Sequence, residues 1–229
     1  MSKLDYIGLN YLDFEAEGKN KPIYNKNKSI FEDAVRKKFG NRYDILIDYL
    51  SESDYFYTPA AAKYHDNHPG GLYNHCMKLY GTLDYYNKYL GNKWSEDTVF
   101  LVSFCHDLCK LGLYKMQVLS QYEDKDNGLI TDYGYSYNDL GYDNKVIHGT
   151  KSLEILGNIG LPDEFITEEL CYSIVYHMGV WTLDAPDYKS ALEKYDLVFF
   201  THSADMLSSR SSESICKISV NGKKQVIIE

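Results

Sequence analysis

Residues 104–114 read FCHDLCKLGLY. A histidine followed directly by an aspartate, inside a run otherwise apolar enough to be core helix, is costly to bury, because imidazole and carboxylate both need partners once water is removed. One divalent cation satisfies His106 and Asp107 together, since a neutral ring nitrogen and an ionised carboxylate are both good ligands. Further ligands must then arrive from elsewhere in the chain.

Around this stretch the pattern is helical. Ser95 is a good N-cap for the helix that carries the pair, Glu96 and Asp97 suit its dipole, and Val99, Val102 and His106 face one way. Asp107 and Lys110 fall one turn apart on that helix, so the ammonium reaches the space of the carboxylate. Upstream, residues 58–71 (TPAAAKYHDNHPGG) are a loop on their Pro and Gly content. From Leu72 a helix places Leu72, His75, Leu79 and Leu83 on one face, with His75 inward. Earlier still, Ser29 is expected to cap a helix with Ile30, Phe31, Ala34 and Val35 at helical spacing, stopped by Gly40. A second helix follows over about 42–50, and residues 1–28 read as an irregular arm.

Downstream, alternation, an Asn-Gly signal and repeated tyrosines over about 115–144 read as a β-hairpin plus loop inserted between helices. Helices resume over about 148–158, over 163–177 after the Leu161-Pro162 break, and over about 188–208, the last carrying His202 and Asp205. Residues 214–229 (SICKISVNGKKQVIIE) alternate about a second Asn-Gly. The expected fold is therefore mainly α: a helical bundle over 29–210 with an inserted β-hairpin, and a C-terminal β-hairpin over 211–229.

At 229 residues and 44% hydrophobic content, the chain can bury a substantial core. No apolar run is long enough to cross a bilayer and the start, MSKLDYIGLN, lacks a secretory layout, so a cytoplasmic protein without membrane partners is expected. Cys76, Cys105, Cys109, Cys171 and Cys216 lack a disulfide-framework spacing and read as reduced. The net charge of −9 is spread along the chain, which disfavours an extended nucleic-acid track but not a small anionic substrate drawn to a local metal charge. Tyrosine is over-represented, with 23 residues, many in polar surroundings that suit rims and loops.

Inward-facing helix positions in five helices carry His75, the His106-Asp107 pair, His148, His177 and Asp205. A lone histidine on an apolar face is most often a hydrogen-bonded core residue, and a buried aspartate can be a helix-to-helix staple. Six such groups in one bundle would each need a separate partner in an apolar interior, which makes a shared cation the economical answer.

The order His75, His106-Asp107, Asp205 resembles the H…HD…D signature of the HD-domain metal-dependent phosphohydrolases. His148 in VIHGTKS and His177 in VYHMG resemble the additional histidines of that superfamily's two-metal members. The segments PAAAKYHDNHPGGLYNH, FCHDLCK, HGTKS, HMG and HSADM are similar to phage and bacterial HD hydrolases and to HD domains attached to some exoribonucleases. The resemblance covers about residues 58–208. It implies that His75, His106, Asp107 and Asp205 bind one ion and that Asp107 bridges to a second held by His148 and His177, the ions being Mn²⁺, Fe²⁺, Mg²⁺ or Ni²⁺.

Lys110 resembles the lysine that contacts substrate phosphate in many members; a solvated or snorkelling lysine is the alternative. His202 either orients a ligand, protonates a leaving group or packs. His65 and His68 lie in the loop expected over the site, as substrate contacts or as exposed residues. The tyrosine-rich hairpin is either a lid stacking a base on rings such as Tyr133, Tyr135 or Tyr137, or an edge packed on the body or a second copy. The function implied is hydrolysis of a phosphomonoester or phosphodiester in a nucleotide or short oligonucleotide by a metal-activated water. A di-iron oxygenase resembling myo-inositol oxygenase and a non-catalytic nucleotide-sensing module are the alternatives.

Overall fold

The computed structural model describes residues 21–125, 128–137, 148–181 and 185–210, and the fold is mainly helical. The helices are α1 (Lys21–Phe39), α2 (Asp44–Glu52), α3 (Gly71–Tyr89), α4 (Glu96–Cys105), α5 (His148–Ile159), α6 (Glu168–Val175), α7 (Ala185–Lys194) and α8 (Asp196–Arg210). Between α4 and α5 a two-stranded antiparallel hairpin is inserted, β1 (Tyr114–Asp124) with β2 (Gly128–Tyr137). No helix among the described residues is long and apolar enough to cross a membrane.

Helix α4 is the centre. Ser95 caps it as expected, its hydroxyl accepting the Thr98 N–H at 3.0 Å. Every residue from Val99 to Cys105 is buried, so the helix is enclosed on all sides. Phe100 and Phe104 meet Phe31 and Phe39 of α1 with ring centroids 4.9 to 6.3 Å apart, and α3 packs against both α4 and α8. Leu72, Leu79 and Leu83 of α3 are all fully buried, with His75 on the same face.

Four expectations about boundaries are corrected. The helix expected from Ser29 begins at Lys21, because Pro22 falls in the first turn, where a proline is tolerated, and no Gly or Pro follows it before Ser29. Helix α4 ends at Cys105, so Asp107 and Lys110 do not share it; Leu108–Lys110 is a 3-10 turn, in which residues three apart eclipse. Helix α6 stops at Val175 and leaves His177 beyond its end. The single helix expected over 188–208 is two, broken at Tyr195, where α7 packs Tyr188 and Ala191 on Tyr172 and Tyr176 in a cluster separate from the main core. The hairpin runs in register from Tyr114 opposite Tyr137 to Asp124 opposite Gly128, with an irregularity between Val118 and Ser120. The C-terminal hairpin expected over 211–229, which includes Cys216, the loop expected to follow the inserted hairpin over 138–147, and residues 1–20 lie outside the described residues.

Candidate metal centre

His75 on α3, His106 and Asp107 at the end of α4 and Asp205 on α8 meet in the bundle interior. His75 Nε2 is 2.9 Å from Asp205 Oδ1, 3.2 Å from His106 Nε2 and 3.6 Å from Asp107 Oδ2. His106 Nε2 is 3.2 Å from Asp107 Oδ2 and 3.8 Å from Asp205 Oδ1. Donors sharing one ion at bonds of about 2.0–2.2 Å stand roughly 3–3.6 Å apart, and these separations, from 2.9 to 3.8 Å, straddle that spacing.

A second group faces the other oxygen of Asp107: His148 Nε2 lies 3.2 Å and His177 Nε2 3.6 Å from Asp107 Oδ1. His148 is the first residue of α5, and its neighbour Gly149 is what lets that helix end come in. A Cβ at Gly149 would run into the Ile174 and Val175 backbone at the end of α6. Only this close approach puts His148 beside His177, whose ring centroids are 5.9 Å apart.

The rings are held in the tautomer that ligation needs. His106 Nδ1 donates to the Ser103 carbonyl at 3.0 Å and His177 Nδ1 to the Ile174 carbonyl at 2.7 Å, which turns each Nε2 lone pair inward. Both carbonyls lie in the last turns of helices, where such acceptors lack intrahelical partners. Asp107 Oδ1 and His177 Nε2 are buried and find no hydrogen-bond partner among the described residues. Inward lone pairs, two carboxylates and orphaned buried atoms are the environment a cation resolves, so these residues can hold a metal ion.

Electrostatics agree. Burial alone would raise the Asp107 pKa, but the Lys110 ammonium and the His106 ring hold the carboxyl well below the usual range. Burial likewise opposes ionisation of Asp205, and His75 overcomes it and lowers the pKa. Burial pushes His106 down; burial also opposes the charged form of His177, but Asp107, Asp205 and the Ile174 carbonyl together raise its pKa. Cys109 also lies near Asp107 and His148, but burial pushes its thiol up to about 12, so it stays protonated and is a poor ligand.

Lys110 is buried, with Nζ 2.6 Å from Asp107 Oδ2, so it is neither solvated nor snorkelling. His65 faces the site, its ring 5.0 Å from that of His75, and burial together with His75 and Lys110 lowers its pKa to about 4. His68 is not brought there: its Nε2 lies 3.5 Å from Asp66 Oδ1, its Nδ1 is 3.0 Å from the Pro69 carbonyl, and it does not line the cleft. His202 lines the cleft and donates from Nδ1 to the His177 carbonyl at 2.7 Å.

Asp107 and Lys110 form the floor of this cleft, of about 200 Å³, and Met178, Trp181 and Met206 are among its walls. Those three were not singled out in the sequence, where no spacing separates them from core residues. The hairpin enters through its base: Tyr114 lines the cleft, its ring 5.6 Å from that of Tyr137. The Tyr133 side chain lies outside what the structure describes. No family model, no curated protein and no solved structure matches this chain, so what the site does is argued from its own geometry.

Proposed function

We propose that the chain is a metal-dependent phosphohydrolase of the HD-domain type, cleaving a phosphomonoester or phosphodiester bond of a nucleotide or short oligonucleotide. Asp107 carries this reading, since its two oxygens face two different sets of histidines. His75, His106, Asp107 and Asp205 would hold one divalent ion, and Asp107, His148 and His177 a second. Bound there, such ions supply an activated water and neutralise phosphate charge.

The chain's own groups do the rest. Lys110 spends one donor on Asp107 and has two more for a phosphate oxygen at the cleft floor. His65 stays neutral through the physiological range and offers a ring nitrogen without added charge, next to His75. Tyr114, Trp181 and His202 wall the cleft.

Protein loaded with Mn²⁺, screened on nucleotides, cyclic dinucleotides and short oligonucleotides beside metal analysis, tests the reading. Hydrolysis is expected, and His148→Ala is expected to lose one metal equivalent together with activity. A broad panel left intact by metal-loaded protein would sink the proposal, and full metal with no turnover would favour the nucleotide-sensing alternative. Imidazole and carboxylate donors suit iron as well, so oxygen uptake by iron-loaded protein would mark the oxygenase alternative.

A further inference from the structure

One wall of the cleft has no role in holding metal. Trp181 closes the 3-10 turn Gly179–Trp181, four residues after His177, and its side chain opens on the cleft while 63% exposed. Singly exposed apolar residues are ordinary. This one lies beside Val180, itself 65% exposed, and its indole is 6.0 Å from the His202 ring at 51°. The two rings make an aromatic corner.

The His202 side of that corner is fixed. Its Nδ1 must carry the proton, because the His177 carbonyl 2.7 Å away only accepts. Tyr188 stands edge-on behind the ring at 6.3 Å. On another side the ring rests against Gly179, where a Cβ would come within 2.5 to 2.8 Å of three ring atoms. Met178 and Met206 add polarisable surface to the same cleft. A ring-lined corner, fixed on its His202 side and opening on an anion-binding floor, calls for an occupant that is planar at one end and anionic at the other.

We infer that Trp181 and His202 form a stacking subsite for one nucleobase, so that the preferred ester is a mononucleotide whose phosphate meets Lys110. The inference rests on the phosphohydrolase reading and narrows its substrate to a single nucleotide. A cleft of about 200 Å³ and a net charge of −9 both disfavour a longer polyanion. Base–aromatic stacking lost on alanine substitution weakens binding by roughly 5- to 150-fold.

The chain has two tryptophans, and Trp94 is buried, so an added ligand reaches only the Trp181 emission. Titrating adenosine 5′-monophosphate into metal-free protein, where no turnover occurs, is expected to give saturable quenching of the Trp181 emission, and calorimetric titration of the same ligand is expected to show binding weakened by roughly fivefold or more in Trp181→Ala. Since Trp181 is exposed, that variant retains its core. With metal bound, the kcat/KM preference for the mononucleotide over glycerol phosphate, which has no ring, is expected to fall by roughly fivefold or more in Trp181→Ala. Absence of quenching, or a preference unchanged in the variant, would overturn the subsite while leaving hydrolysis standing. Quenching without hydrolysis of any ester would do the reverse.

Discussion

Lys110 Nζ lies 2.6 Å from Asp107 Oδ2, and neither side chain is more than marginally exposed. The 3-10 turn after α4 stacks the two residues, and each charge compensates the other's burial. Removing one partner strands the other, at a cost of several kcal/mol. Lys110→Met is therefore expected to destabilise the metal-free protein by roughly 3 kcal/mol, read as a lower urea midpoint at unchanged slope. Saturating Mn²⁺ is expected to recover part of that loss, because an added cation replaces the missing charge. A variant as stable as the parent without metal would show that Asp107 does not depend on the ammonium.

Metal should stabilise the folded chain by mass action. A ligand present at 100 times its Kd, binding only the native state, adds about 2.7 kcal/mol, which for a chain of this size is roughly 5–10 °C in Tm. Thermal melts with Mn²⁺ and with a chelator measure this directly. His75→Ala and Asp205→Ala are each expected to remove most of the gain. Equal melting temperatures with and without metal in the parent would mean the cluster binds none.

Asp66 organises the loop before α3. It sits at φ 45°, its carboxylate takes Lys78 Nζ at 2.9 and 3.1 Å, and its carbonyl accepts the Ala60 N–H at 3.0 Å. Burial alone would raise its pKa, but His68 and Lys78 prevail and lower it from the ordinary 3.8. A depressed carboxyl pKa adds stability above the ordinary value, and that stability is lost as pH falls through the folded value. Asp66→Asn keeps a residue that tolerates the left-handed region. It is expected to cost about 2 kcal/mol at pH 7 and to flatten the loss of stability below about pH 4. Parallel stability–pH curves for parent and variant would rule this out.

Gly179 has φ +61°, and its space is taken by the His202 ring. Gly179→Ala is expected to cost about 1–2 kcal/mol in backbone strain and to push His202 off the His177 carbonyl. Imidazole ¹⁵N NMR reports the tautomer, and an unchanged Nδ1–H signal in the variant would show that the ring does not need the glycine.

Local pattern determined a good deal of this protein. The spacing of Leu72, His75, Leu79 and Leu83 put His75 on the buried face of α3, and Ser95 marked the start of α4, because side-chain direction along a helix and hydrogen bonding at its cap depend on a few neighbouring residues. The mainly helical class and the inserted hairpin were legible for the same reason. What local pattern could not carry was the meeting of distant parts. His65 and His68 share one loop, yet one ring faces His75 and the other Asp66. Nothing in the sequence around Tyr195 breaks a helix, and the break belongs to the packing of α7 on Tyr172 and Tyr176. The division of Asp107 between two histidine groups, the close seat of Gly149 and the Trp181–His202 corner exist only once α3, α5 and α6 are packed on α4 and α8 on α3 and α6. Burial and contact between residues far apart in the chain arise from that packing, and no short window of sequence contains it.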